Sequence, residues 1–106
     1  MVSNYQIVYT MQYFNDFSNI ADYYVDKFKN SDLIGNLENN VRAKERLLMS
    51  FPYSFAIFEP DRLLKHEYRT FNALNYKVFY YIDEIAKIVY IRRILYSKMN
   101  FDNIDI

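Results

Sequence analysis

Eight cations crowd the second half of this sequence. Arg62, Lys65, Arg69, Lys77, Lys87, Arg92, Arg93 and Lys98 stand against only Glu67, Asp83 and Glu84 between positions 62 and 98, a local balance of +5. The chain as a whole is neutral, with 13 Lys+Arg and 13 Asp+Glu. Interleaved with Tyr68, Tyr81, Tyr90 and Tyr96, the cations have the chemistry of phosphate contact combined with base stacking. They also fit a plain solvated sheet face, with Lys and Arg in water and Tyr covering the strands. Binding by counterion release ordinarily draws on more net charge than this chain carries.

Other chemistries fall to composition. A single glycine, Gly35, rules out the glycine-rich turns that let backbone approach a phosphate. Without cysteine there is no thiolate nucleophile, disulfide or cysteine-ligated zinc, and one histidine removes the two-His metal motifs. No metal and no cofactor are therefore expected. The first ten residues lack the basic and apolar regions of a signal peptide, and no apolar run approaches the ~20 residues that span a bilayer. A cytoplasmic protein with no membrane partner is the expectation.

These side chains need a scaffold, and 106 residues with 52% apolar content suffice for a single domain over residues 1–106. Tyr5–Tyr9 reads as a short first strand. Thr10 then caps a helix whose Phe14, Phe17, Ala21, Tyr24, Val25 and Phe28 step by three and four, a stripe expected in the core. The run Asn30-Ser31-Asp32 breaks that helix and supplies the next N-cap. A second amphipathic stretch carries Ile34, Leu37, Val41, Leu47 and Leu48, and ends at Phe51-Pro52. The two helices should form an antiparallel hairpin.

Tyr53–Leu64, which holds Pro60, reads as a loop. Three β-prone runs follow, His66–Phe71, Asn75–Ile82 and Lys87–Tyr96, the last two joined by a hairpin loop at Asp83–Ala86. Residues 97–106 form a polar tail with Phe101 and Ile104 available to dock on the sheet. The expected fold is α+β, in the order β-α-α-β-β-β. An αα-hairpin covers one face of a mainly antiparallel four-stranded sheet, and the other face is open to function.

From Glu67 onward the sequence resembles the RelE/ParE superfamily of toxins from bacterial type II toxin–antitoxin pairs. The carriers are Tyr68-Arg69, then Asn75-Tyr76-Lys77-Val78-Phe79-Tyr80 leading to Ile82-Asp83, then Val89-Tyr90-Ile91-Arg92-Arg93-Ile94-Leu95-Tyr96 and Ser97-Lys98. The strand and helix order agrees with that family's fold. The resemblance implies a small toxin neutralised by an antitoxin protein that wraps it. It also implies one of two activities: metal-independent cleavage of ribosome-bound mRNA by the RNA's own 2′-hydroxyl, or poisoning of DNA gyrase without any nuclease.

Matched position by position, the resemblance gives a catalytic set of Lys77, Arg93, Tyr96 and Lys98. Lys77 would stabilise charge on the scissile phosphate, and Tyr96 would move a proton or stack a base. Lys65, His66, Arg69 and Arg92 would bind the nucleic acid. Met99 and Asn100 depart from the family's ending, where an Arg and an Asp are common. That departure, with a pI near 6.6, keeps the gyrase-binding toxin open, and also a non-toxic member that only binds antitoxin. The first expectation is mRNA cleavage, with the ribosome and mRNA as partners beside the antitoxin.

Each residue also has a structural reading. His66 suits a polar strand position, and Tyr96 suits plain packing. Lys77 shares the parity of Phe79 and Tyr81, an aromatic-lined face. Arg93 shares the parity of Val89 and Ile91, which would turn it inward to pair with a buried carboxylate. A bulge near Arg92-Arg93 would reverse that parity.

Overall fold

The computed structural model describes residues 4–29 and 31–106. Strand β1 (Gln6–Tyr9) leads into helix α1 (Met11–Phe28), helix α2 (Asp32–Ser50), then strands β2 (Tyr68–Ala73), β3 (Tyr76–Asp83) and β4 (Ile88–Tyr96). The sheet order is β1-β4-β3-β2. Strands β2, β3 and β4 pair antiparallel in sequence, while β1 lies parallel to β4 with Gln6 opposite Ile88. The expected α+β order is therefore the observed one.

Local chemistry sets the joints. Thr10 accepts the Tyr13 amide proton with its hydroxyl oxygen and donates that hydroxyl to the Arg92 carbonyl, so one side chain caps α1 and holds it on β4. Ser31 precedes α2 without a side-chain cap bond, and Asp32 supplies negative charge in the first turn. Asn30, expected in that capping run, lies outside the described residues. Phe51 ends α2 ahead of Pro52. In the β3–β4 turn, the Asp83 carboxylate accepts from the Ala86 amide at 3.0 Å and Lys87 takes a left-handed φ of 58°.

The main core lies between the helices and one sheet face, here the helix face. Leu37, Val41 and Leu48 of α2 meet Phe71, Val78, Tyr80 and Ile91, all nearly sealed from water. Tyr80 sends its hydroxyl to the Pro52 carbonyl at 2.7 Å, which satisfies its polar tip and holds down the chain after α2. The α1 stripe departs from expectation. Phe14 and Phe28 are 52% and 55% exposed, and Tyr13 is the residue of α1 that becomes buried. Helix α1 packs chiefly along β4, and much of its apolar stripe is left without a neighbour.

The opposite face is less open than expected. Tyr68, Phe79 and Leu95 are buried there beneath Phe58 and Leu64 of the long loop and Phe101, Ile104 and Ile106 of the tail. Arg62 binds loop to tail, donating to the Asp102 carbonyl at 2.8 Å and the Ile104 carbonyl at 2.7 Å. The segment around Ile57 pairs with Arg69 and covers the outer edge of β2.

Every strand boundary but two shifts by one or two residues from the sequence reading. β1 begins at Gln6 rather than Tyr5, and β2 runs Tyr68–Ala73 rather than His66–Phe71. β3 runs Tyr76–Asp83 rather than Asn75–Ile82, and β4 begins at Ile88 rather than Lys87. His66 instead leaves the ladder and lays its ring on Tyr81. The bulge left open near Arg92-Arg93 is present. Phe79 faces Arg93 while Tyr80 faces Ile91, so Arg92 is the extra residue on β4.

Candidate functional site

Strand alternation fixes where the four expected catalytic side chains sit. Tyr76 contacts α1 through its hydroxyl, 3.2 Å from that of Tyr24, so its side chain is on the helix face. Tyr96 is directly opposite Tyr76, with ring centroids 6.2 Å apart, and shares that face. Lys77 is one residue further along β3 and points to the other face. Its ammonium lies 5.7 Å from the centre of the Phe101 ring. Lys77 and Tyr96 therefore stand on opposite sides of the sheet. Lys98 lies exposed in the turn after β4.

Arg93 is engaged elsewhere. The bulge turns it to the tail side of the strand, level with Phe79. Beyond the end of β1 the edge of β4 is uncovered, and the first turns of α1 run beside it. Arg93 donates from Nε and Nη2 to Asp16 of α1 at 2.7 and 3.0 Å, and the Ile94 amide donates to the same carboxylate at 3.1 Å. Both side chains are largely buried, and a fourth bond runs from Arg93 to the Asp105 carbonyl. One carboxylate thus closes an open strand edge and neutralises a buried guanidinium. The carboxylate partner read as one option for Arg93 is present, together with the bulge read as the other.

The expected nucleic-acid residues divide in the same way. Arg69 donates to the Tyr53 and Phe55 carbonyls at 3.2 and 2.8 Å and pairs with Glu67, so its guanidinium holds the loop after α2. Lys65 is exposed. His66 stacks on Tyr81 at 4.0 Å with rings 4° from parallel, and Tyr81 stacks on Tyr90 at 5.0 Å and 22°. Burial raises the Tyr81 phenol pKa, with the Tyr68 and Tyr90 phenols adding to it and Arg92 opposing. This three-ring stack lines a groove of about 490 Å³ whose far end is the β3–β4 turn with Asp83, Glu84 and Ile85.

The turn itself is tied down. Glu84 accepts from the Tyr5 hydroxyl at 2.8 Å and the Tyr53 hydroxyl at 2.6 Å, and pairs with Lys87. Those hydrogen bonds, led by Lys87, hold its carboxyl down at about 2, and the same carboxylate pushes the Tyr53 phenol up to about 12. Among the described residues no group of three or more His, Asp and Glu is placed to hold a metal, and no helix is long and apolar enough to cross a membrane.

A second recess runs between the helices. Tyr9, Tyr13, Phe14, Phe17 and Val41 enclose about 330 Å³, with Glu38 and Arg42 at its rim joined at 3.1 Å. Burial pushes the Tyr9 and Tyr13 phenols well above their ordinary values; at Tyr9 the Glu45 carboxylate, bonded at 2.7 Å, adds to this.

With this arrangement in hand, comparison with solved structures places the fold. A chain of the chromosomal ParDE toxin–antitoxin system from P. aeruginosa superimposes with a TM-score of 0.67 at 14% identity, over 92% of this chain and 100% of that one. The fold is the RelE/ParE fold. A chain of the archaeal RelE–RelB complex from Pyrococcus horikoshii OT3 shares it, with a TM-score of 0.58, 10% identity and coverage of 92% and 99%. No family model and no curated protein matches the sequence.

Against that fold, sequence reading missed three contributors. Asp16 lies off the apolar stripe of α1, and nothing in an isolated Asp signals that it closes a strand edge. Arg62 and Phe58 belong to an irregular loop without periodicity. The tail's Phe101 and Ile104 were the available signal that the second face is covered, and they do dock there.

Proposed function

We propose that this chain is a RelE/ParE superfamily toxin, held in check in the cytoplasm by an antitoxin protein, and that it arrests growth by occupying a macromolecular target. DNA gyrase, the target implied by the ParE resemblance, is the first to test. The observation that carries the reading is the dispersal of the cleavage set. Strand cleavage by a 2′-hydroxyl needs a base, a phosphate-stabilising cation and an acid within reach of one scissile bond. Here Tyr96 and Lys77 are on opposite faces, and Arg93 is bound to Asp16. The apolar recess between α1 and α2, with the half-exposed Phe14 on its wall, is suited to an antitoxin segment.

Ribosome-dependent mRNA cleavage is the second reading. The His66–Tyr81–Tyr90 stack beside Arg92 favours it, because stacked rings next to cations suit single-stranded RNA. Expression without antitoxin is the first test, and undisturbed growth refutes both toxic readings in favour of a member that only binds antitoxin. Primer extension on mRNA from a cell-free translation reaction then separates the two. Intact mRNA together with inhibited gyrase supercoiling is the expected result. New stops that require translating ribosomes would replace the proposal with the nuclease.

A further inference from the structure

Tyr96, removed from Lys77 by the sheet, belongs to another surface. Its ring meets Tyr76 edge-on, Tyr76 meets Tyr24, and Tyr24 meets both Tyr23 and Phe28 at 5.6 and 5.5 Å. Five rings thus run without a break from the end of β4 across the last two turns of α1. The outer members Tyr23, Phe28 and Tyr96 are about half exposed. Leu74 and Met99, similarly exposed, occupy the two turns at this end of the sheet, which are joined by the Ser97 amide bond to the Asn75 carbonyl. An isolated exposed ring is ordinary, but a contiguous apolar patch of this size at one pole marks a contact surface.

We propose that this aromatic pole is the surface that grips the target, and that the target's complementary patch is a protein surface with an apolar centre and carboxylates around it. The inference rests on the reading above, that the chain acts by binding.

Two observations choose that occupant. The first is charge. At 100° per residue, Lys27 falls between Tyr23 and Tyr24 on α1, Asp22 falls on the far side, and Asp26 flanks Tyr23 on the edge away from Tyr24. Lys29 caps the same helix end and Lys98 follows Tyr96 by two residues, so the rim of the pole carries three cations against the single carboxylate of Asp26. The second is ring geometry. Tyr23 meets Tyr24 and Phe28 at 81° and 78°, and Tyr76 meets Tyr24 and Tyr96 at 71° and 70°. Edge-to-face rings mixed with Leu74 and Met99 make a surface for apolar side chains, with the Tyr, Phe and Met content typical of protein interfaces. Bases prefer parallel faces, and those lie elsewhere, in the His66 stack.

The test uses Tyr23→Ser and Phe28→Ser, singly and together, in the full chain. Neither ring belongs to the set considered for cleavage, and a thermal melt verifies that each variant folds. With Lys27→Glu as a variant that keeps the rings, the expected outcome is loss of growth arrest with unchanged affinity for the antitoxin. Target binding should weaken about tenfold for each ring removed. Arrest at the wild-type level in the folded double variant overturns the proposal. Loss of antitoxin binding together with arrest also overturns it, by assigning the pole to the antitoxin. A wild-type chain that causes no arrest defeats the functional reading itself and is distinct from both.

Discussion

Replacing Asp16 by alanine removes three hydrogen bonds at once, two from the Arg93 guanidinium and one from the Ile94 amide. A bond to a charged group is worth about 1.5–3 kcal/mol, and breaking a buried ion pair from one side costs about 3–5 kcal/mol. Here the side chains retain 17% and 12% of their exposure, so water relieves part of the stranded charge, and the Asp105 carbonyl still accepts from Arg93. The net loss should be about 2–4 kcal/mol. For a domain of this size that lowers Tm by roughly 8–16 °C. Denaturant melts of Asp16→Ala, Arg93→Ala and the double variant form a cycle in which the coupling should be about 2 kcal/mol. A loss under about 1 kcal/mol for Asp16→Ala, or strictly additive single effects, would refute the assignment of this pair as a clamp on the β4 edge. The cycle also bears on function. Under the proposed toxin reading, an Arg93 that acted on a phosphate would leave growth arrest intact in Asp16→Ala below its melting temperature and abolished in Arg93→Ala. An Arg93 that is a clamp would have the two variants lose any growth arrest together, in proportion to the folded fraction.

Two further outcomes follow from other parts of the fold. Glu84 has its pKa depressed to about 2, so its contribution to stability is complete above the unfolded carboxyl's pKa and is lost as pH falls through about 2. Urea melts at stepped pH should show a slope between about pH 4.5 and 2 that is shallower in Glu84→Gln. Tyr53 has the opposite sign: raised to about 12, it supports the fold below the ordinary phenol pKa and loses that support as pH climbs from about 10 to 12. Gly35 lies within α2 with open space around the position a Cβ would take. Gly35→Ala should therefore stabilise by about 0.5–1 kcal/mol, seen as a higher Tm, and a lower Tm would show that the helix start needs glycine.

What could be read from the sequence was whatever leaves a period or a cap. Thr10, the α1 and α2 repeats, Phe51-Pro52 and the alternation of β3 and β4 each act over a few residues, so the element order was legible. The bulge at Arg92 could be named only as an alternative, because one extra residue in a strand of uniformly β-prone types changes no composition while it reverses the facing of everything beyond it. That reversal moved Arg93 to the side of Phe79 and Tyr96 away from Lys77, which is why a set of residues close in sequence does not converge in space. The stripe on α1 was read as core because periodicity reports a shared face. It does not report how much of that face a neighbouring element covers. His66 looked like a strand residue by type, and its stacking on Tyr81 depends on a loop that brings it over β3.

The parallel pairing of β1 with β4 has a consequence for how the molecule comes into being. Thr10 and Arg92, joined by a hydrogen bond, are 82 positions apart, and β4 is the strand between β1 and β3. During synthesis β1 and both helices emerge with their apolar faces uncovered and wait for the last strand before the sheet can close. Contacts of such separation form late and slowly, and a chain halted before β4 has no central strand on which to assemble. A partly made copy is thus a sticky helical hairpin without the sheet that covers its apolar faces. Because β4 is made after every other strand and yet lies inside the sheet, the topology acts as a check that this strand is present before the fold can close.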